Sequence, residues 1–201
     1  MSFQESEICV ATPIYGKPIS AKERRNILLP AWSREYDGLP VFDDASGLWL
    51  LGNLKLFRAK LAHIEAACGP NSHTGAQLDA IDAEAERLVL DSKVLVCGIH
   101  SRAHMRAAVV PVRWGSPRIV VMSGGFRYHL GEDLNEEPFK AARLWRYCWD
   151  PITDLAVSRR APEKLPTYAC HNPTVDRLIA KIAGRQLAGI DSPSQTDLVL
   201  A

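Results

Sequence analysis

The stretch Lys93–Gly125, KVLVCGIHSRAHMRAAVVPVRWGSPRIVVMSGG, constrains the fold more than any other part of the chain. A short apolar run, Val94-Leu95-Val96-Cys97, stops at Gly98. Apolar residues at roughly helical spacing follow (Ala103, Ala107, Val110, Trp114) and stop at Gly115. A second run rich in β-branched residues, Ile119-Val120-Val121-Met122, ends on Ser123-Gly124-Gly125. Strand, glycine turn, helix, strand, glycine turn is the pattern of a buried parallel βαβ unit. Both turns follow the carboxyl ends of strands, where open α/β sheets place their ligand crevice.

The flanking sequence extends this unit. Gly75–Leu90 keeps helical spacing, with Leu78, Ile81, Ala85, Leu88 and Val89 on one face and Asp79, Asp82, Glu84 and Glu86 turned away. Leu61–Ala67 before it is expected to be a strand, closed by Gly69-Pro70-Asn71-Ser72. Asp154–Ser158 is expected to be a fourth strand, Val175 to about Leu187 a helix capped by Thr174, and Asp197–Ala201 a last strand. Residues 1–56 carry scattered prolines and glycines and are expected to form an irregular extension packed on the main domain, with one short helix at Ala21–Leu29 that Pro30 closes. The expectation is a three-layer α/β Rossmann-like domain over 57–201, with a mostly parallel sheet.

Composition narrows the function. With 201 residues the chain suits one domain, and its net charge of +1 announces no polyanion partner, so any nucleic-acid site must be a local patch. No apolar run approaches the ~20 residues of a membrane span. The N-terminus MSFQESEICV lacks the features of a signal peptide, and five scattered cysteines fit free thiols in a reducing cytoplasm.

The chemistry-bearing residues gather at the glycine turns. Backbone amides there can cradle phosphates, but no turn completes a GxGxxG or Walker pattern; closing a tight βα turn explains any one of them equally well, and the convergence of three on one sheet edge favours a ligand. His100 and His104 have a spacing that can bind a metal, with Cys97 or His129 as third ligand, although no complete ligand set is evident and no metal is expected. Ser101 near His104, or Ser123, is a conceivable nucleophile without a G-x-S-x-G elbow or an acid partner. Arg127, Arg143, Arg146, Arg159, Arg160 and Arg177 interleave with Phe126, Tyr128, Trp145, Tyr147 and Trp149, a mixture that suits single-stranded nucleic acid and equally a solvated face over an aromatic core.

The order of motifs resembles the DprA/Smf family of DNA-processing proteins. Leu29-Pro30-Ala31-Trp32, Gly38-Leu39-Pro40-Val41 and Leu51-Gly52-Asn53 resemble the segment that leads into its domain. Gly69-Pro70-Asn71-Ser72 with Gly75 resembles the loop G-S-R-x-x-[ST]-x-x-G, and Gly98–His104 resembles G-I-D-x-x-A-H. Arg118–Tyr128 resembles the strand and loop T-I-A-V-L-G-x-G-x-D, Asp154–Ser158 with Ala161-Pro162 resembles I-S-E-x-P-P-G, and Val175–Ala180 resembles R-N-R-x-I-A. The likeness runs in order over about 28–201. It implies an extended Rossmann fold that binds single-stranded DNA and hands it to a RecA-type recombinase in recombination or DNA uptake, without catalysis or cofactor, and pairing as a homodimer. The winged-helix module of some relatives is not expected here. Carried over by motif, the DNA-facing residues are Asn71, Ser72, Gly98, His104, Gly124, Gly125 and Arg177, with Arg127 beside them.

The sequence also departs from these motifs. Pro70 or Asn71 replaces the first loop's Arg, His100 stands for Asp, and Val175-Asp176 stand for Arg-Asn. Each lost cation weakens a phosphate site; Arg102, Arg106, Arg127 and Arg159 are the cations available to compensate. The alternative function is a nucleotide-binding sensor or nucleotide-processing enzyme, although Ser123-Gly124-Gly125 is followed by Phe126-Arg127-Tyr128 rather than the Gly-Thr and Glu of phosphoribohydrolase-like relatives. A protein-binding scaffold is a third possibility, favoured if Leu144–Trp149 is exposed.

Overall fold

The computed structural model describes residues 38–138, 149–166 and 172–187. The helix expected at 21–29, the aromatic segment up to residue 148 and the strand at 197–201 lie outside the described residues. The elements are β1 (Val41–Asp43), β2 (Leu48–Gly52), β3 (Leu61–Ala62), α1 (Gly75–Leu90), β4 (Val94–Gly98), α2 (Arg102–Arg113), β5 (Arg118–Met122), α3 (Phe126–Leu130), β6 (Leu155–Ser158) and α4 (Pro173–Ala183). The sheet has six strands in the order β1-β2-β6-β5-β4-β3. β3 through β6 run parallel, while β2 joins β6 and β1 joins β2 antiparallel.

Strand alternation divides the core between two faces. Leu95, Cys97, Val120, Met122 and Ala156 pack under α1 and α2 with Ile81, Ala85, Ala103 and Ala107. Their neighbours Val94, Val96, Ile119, Val121, Leu155 and Val157 point the other way, against Val175, Leu178, Ile179 and Ile182 of α4. Strands apolar on both sides need helices on both sides, which gives the three-layer α/β Rossmann-like architecture. Successive parallel neighbours joined through α1 and α2 place both helices on one face, as right-handed crossovers require. The loops after β3, β4, β5 and β6 then share one edge of the sheet, its carboxyl edge. No helix among the described residues is long and apolar enough to cross a membrane.

Three expectations change. The helix expected from Val175 to about Leu187 with Thr174 as its cap runs from Pro173 to Ala183, and Asn172 is the cap because its side chain accepts from Val175 N while Pro173 fits the first helical position. Leu61–Ala67 contributes only Leu61–Ala62 as strand; a 3-10 turn at Glu65–Ala67 follows and turns Ile64 and Ala67 into the core. The Pro- and Gly-rich stretch before it contains the β1–β2 hairpin, two short strands that the sequence reading leaves out. Gly47, at φ +67°, turns the chain, its amide donates to Asp43 O at 2.8 Å, and Phe42 faces Trp49 across the ladder with ring centroids 5.2 Å apart.

Charge is buried at the opposite, amino edge. Arg118, which opens β5, is fully buried; its Nη2 donates to both oxygens of Glu137 (3.0 and 2.7 Å), its Nε to Asp154 Oδ2 at 3.2 Å and its Nη1 to Ala108 O at 2.7 Å. Burial works against the guanidinium charge, but Glu137 and Asp154 outweigh it and hold Arg118 protonated. Removing one partner strands the others without water. Arg118→Met is therefore expected to cost about 3–5 kcal/mol in urea unfolding, and adding Glu137→Gln to that variant recovers part of the loss.

Candidate nucleic-acid interface

At the carboxyl edge, α4 reaches across from its own layer and delivers Asp176 to the loops after β3 and β4. Asn172 caps α4 by accepting from Val175 N, and Pro173 occupies its first turn, so Asp176 sits near the helix amino end, where negative charge is favoured. Asp176 Oδ1 lies 2.8 Å from His100 Nε2 and 3.1 Å from His104 Nε2, and Oδ2 accepts from Gly69 N at 3.0 Å. Burial alone raises its pKa; hydrogen bonds from His104 and the Gly69 amide and the proximity of His100 overcome this and hold the carboxyl far below its usual range.

The hydrogen bonds fix the tautomer of His104. Gly98 N donates to His104 Nδ1 at 3.2 Å, so the ring hydrogen sits on Nε2 and points at Asp176. Cys68, His104 and Asp176 each place one ligand-type atom within 4.8 Å of the others. A metal needs a lone pair on Nε2, and the Gly98 amide opposes the tautomer that would free it. Burial, then Asp176 and Glu65, also push the Cys68 thiol up to about 11. The donor set fits a closed hydrogen-bond network rather than an ion. Cys97 does not join it: its buried Sγ donates to Ile119 O at 3.7 Å, and burial pushes the thiol up to about 12. Nor does the geometry support a Ser101 nucleophile, because Ser101 Oγ caps α2 by accepting from the backbone N of His104 while both ring nitrogens of His104 are engaged elsewhere.

The turn after β5 follows the same logic with different partners. Gly124 N donates to His129 Nε2 at 3.2 Å and Gly125 N to Lys164 O at 2.7 Å. A Cβ at Gly124 would strike Pro166, and one at Gly125 would strike the carbonyl oxygens of Ala161 and Pro162. These glycines allow the loop at 161–166 to lie directly on the turn. The amides of Gly69, Gly98, Gly124 and Gly125 all donate within the protein.

The remaining residues singled out in the sequence lie on the rim. Asn71 and Ser72 are exposed; Asn71 Oδ1 accepts from Arg102 N at 3.3 Å, and Ser72 N donates to Pro70 O. Arg177 is exposed beside Asp176, its Nε donating to Pro173 O at 3.2 Å. Arg127 is held by Glu132 at 2.7 Å and Glu163 at 3.7 Å, and Arg106 by Asp79 at 2.6 Å and Asp82 at 3.2 Å. Arg102, Arg159, Lys164 and Arg177 are exposed and, among the described residues, form no ion pair. Asn71, Gly98, His104 and Arg102 thus gather around Asp176 and Arg177, whereas Gly124, Gly125 and Arg127 gather under the loop at 161–166. Sequence reasoning missed Asp176, His100 and Gly69 as one cluster. The signal lay in two motif departures, His100 for Asp and Asp176 for Asn, which turn out to touch each other.

Burial lowers the pKa of His129 from 6.5 to about 4. Its neutral ring accepts from Gly124, so its contribution to stability is present above pH 6.5 and is lost as pH falls toward 4. His129→Gln, whose amide oxygen can replace Nε2 as acceptor, is expected to flatten the decline in thermal stability over that window. A decline as steep as in the parent protein would place the titration elsewhere.

The sequence matches no family model and no curated protein. In structure the chain is similar to DNA processing protein A from Helicobacter pylori, described for its mode of binding single-stranded DNA, with a TM-score of 0.50 and 14% identity. The likeness covers 74% of this chain and 66% of that one, so the chain spans just under two thirds of the length of its structural neighbour. The fold that the DprA/Smf-like motifs imply is the fold this chain has.

Proposed function

We propose that this chain binds single-stranded DNA along the carboxyl edge of its sheet, through exposed side chains rather than through a backbone cradle. The observation that carries this reading is the state of the glycine turns. A mononucleotide site on a Rossmann-like sheet relies on amides left open toward a phosphate, and here the amides of Gly69, Gly98, Gly124 and Gly125 donate to the protein's own acceptors. That disfavours the nucleotide sensor. What the rim offers a polyanion is charge on flexible stems: Arg102 and Arg177 on one side of the edge, Arg159 and Lys164 on the other, with Tyr128 exposed near the latter pair. Cations that track a backbone, with an aromatic surface for a base, suit a single strand. The structural neighbour's binding of single-stranded DNA supports the same ligand. The motif resemblance extends the proposal to delivery of that strand to a RecA-type recombinase in recombination or DNA uptake, with the chain acting as a homodimer in the cytoplasm.

Fluorescence anisotropy with labelled oligo-dT at two salt concentrations tests the reading. Binding is expected to weaken with salt, and Arg102→Ala with Arg177→Ala to lower the slope of log affinity against log salt by roughly 0.7 for each phosphate no longer neutralised. ATP and AMP are expected not to compete. Displacement by either would shift the ligand to a free nucleotide, and no binding at low salt would end the DNA proposal.

A further inference from the structure

The amino edge of the sheet, on the far side from the candidate interface, carries a second group of cations. After β2 the chain turns through a 3-10 segment, Leu54–Arg58, and crosses beneath β6, β5 and β4 to reach β3 at the other side of the sheet. This crossing brings Lys55, Arg58 and Lys60 under the strand starts. Val94 N donates to Lys60 O at 2.8 Å, which seats Lys60 beside Lys93 at the start of β4. The carboxyl end of α4 closes on the same place: Arg185 Nη2 donates to Ala59 O at 2.9 Å and to Arg58 O at 3.4 Å, and Lys181 lies one helical turn before it.

Charge at this edge is one-sided. Arg58, Lys60 and Lys181 are exposed, Lys55 and Lys93 half-buried, and none of the five forms an ion pair among the described residues. The acids nearby are already engaged. Asp154 and Glu137 are buried on Arg118, while Glu84, which feels Lys93, and Asp91 are held by Arg87 at 2.6 and 2.8 Å. On a chain of net charge +1, such a group is a local field rather than an average property.

We propose that this amino edge is a second nucleic-acid contact surface, which takes the sugar–phosphate backbone of DNA. The choice of partner follows from what the edge offers. Among the described residues it has charges on long stems and no fully exposed aromatic ring, Phe57 being half-buried, with Leu54 and Leu90 as its exposed apolar side chains. Phosphates are recognised by such a surface, and bases are not. The carboxyl edge holds a strand where Tyr128 is available; the amino edge holds backbone alone. One molecule then grips two segments of a strand, or two strands, on opposite sides of one sheet.

The test uses the full chain and a labelled oligo-dT of about forty nucleotides, long enough to exceed a single site. Arg58→Glu/Lys60→Glu/Lys181→Glu is compared with Arg102→Ala/Arg177→Ala. The amino-edge variant is expected to lower the salt slope by about 2, the value for three phosphates that keep their counterions. Its effect should add to that of the carboxyl-edge variant, because separate surfaces couple weakly. The matching Gln triple variant removes the same three cations and should lower the slope by a similar amount with a smaller loss of affinity, and melting at the parent temperature shows that both fold. An unchanged slope in the folded Glu variant overturns the proposal. So does binding to vesicles of phosphatidylserine and phosphatidylcholine, abolished in the Glu variant, without any effect on DNA. Failure of the carboxyl-edge reading looks different: Arg102→Ala/Arg177→Ala then changes nothing, while the amino-edge variant still lowers the slope.

Discussion

The carboxyl edge depends on one carboxylate. Asp176 is buried, and burial alone raises its pKa; hydrogen-bond donors from two separate loops keep it charged. Because His104 passes its second nitrogen to the Gly98 amide, the bonds form a continuous path from Gly69 through Asp176 and His104 to Gly98. That path ties the layer containing α4 to the loops that open α1 and α2. His100 and Asp176, which meet there across one 2.8 Å contact, stand where the motifs that the chain resembles have Asp and Asn.

The buried charge at the amino edge has a different role. Arg118 is held inside by Glu137, Asp154 and the carbonyl of Ala108. The network joins β5, β6, α2 and the segment after α3. Its two carboxylates are directed inward at Arg118, so they do not neutralise the lysines and arginine outside. The same edge therefore has an acid-rich interior and a basic exterior, and only the exterior meets solvent.

Much of the fold was legible because its strands are buried on both faces. Val94–Cys97 and Ile119–Met122 are uninterrupted apolar runs that end at glycine-bearing turns, and the apolar spacing that predicts a helix from about Gly75 to Leu90 corresponds to α1, which Thr74 caps with Gln77. The β1–β2 hairpin was not legible. Its strands have three and five residues, β1 keeps Val41 and Phe42 partly exposed, and the flanking prolines and glycines carry the stronger local signal. Leu61–Ala67 misled for a related reason: an edge strand bonded on one side stops after two residues, and the alternation beyond it belongs to a 3-10 turn. In the site, the glycines announced turns, but nothing local announces what fills them. Asp176 lies 107 residues from Gly69 and 72 from His104 in sequence, and only the docking of α4 brings them together.

That distinction decides how a glycine turn on such a sheet should be interpreted. Glycine at the end of a strand permits close approach, and a phosphate is one of several things that can approach. At Gly125 the approaching group is the backbone at Ala161 and Pro162; at Gly98 it is the ring of His100. The requirement for glycine is met in full by the protein's own atoms, so the residue type alone carries no information about a ligand. What separates an anion cradle from a packed turn is the direction of the amide hydrogen. In this chain the amide hydrogens of Gly69, Gly98, Gly124 and Gly125 point inward, so under the proposed function recognition of a polyanion falls to the cations on the rim, where strength follows salt and the number of phosphates touched.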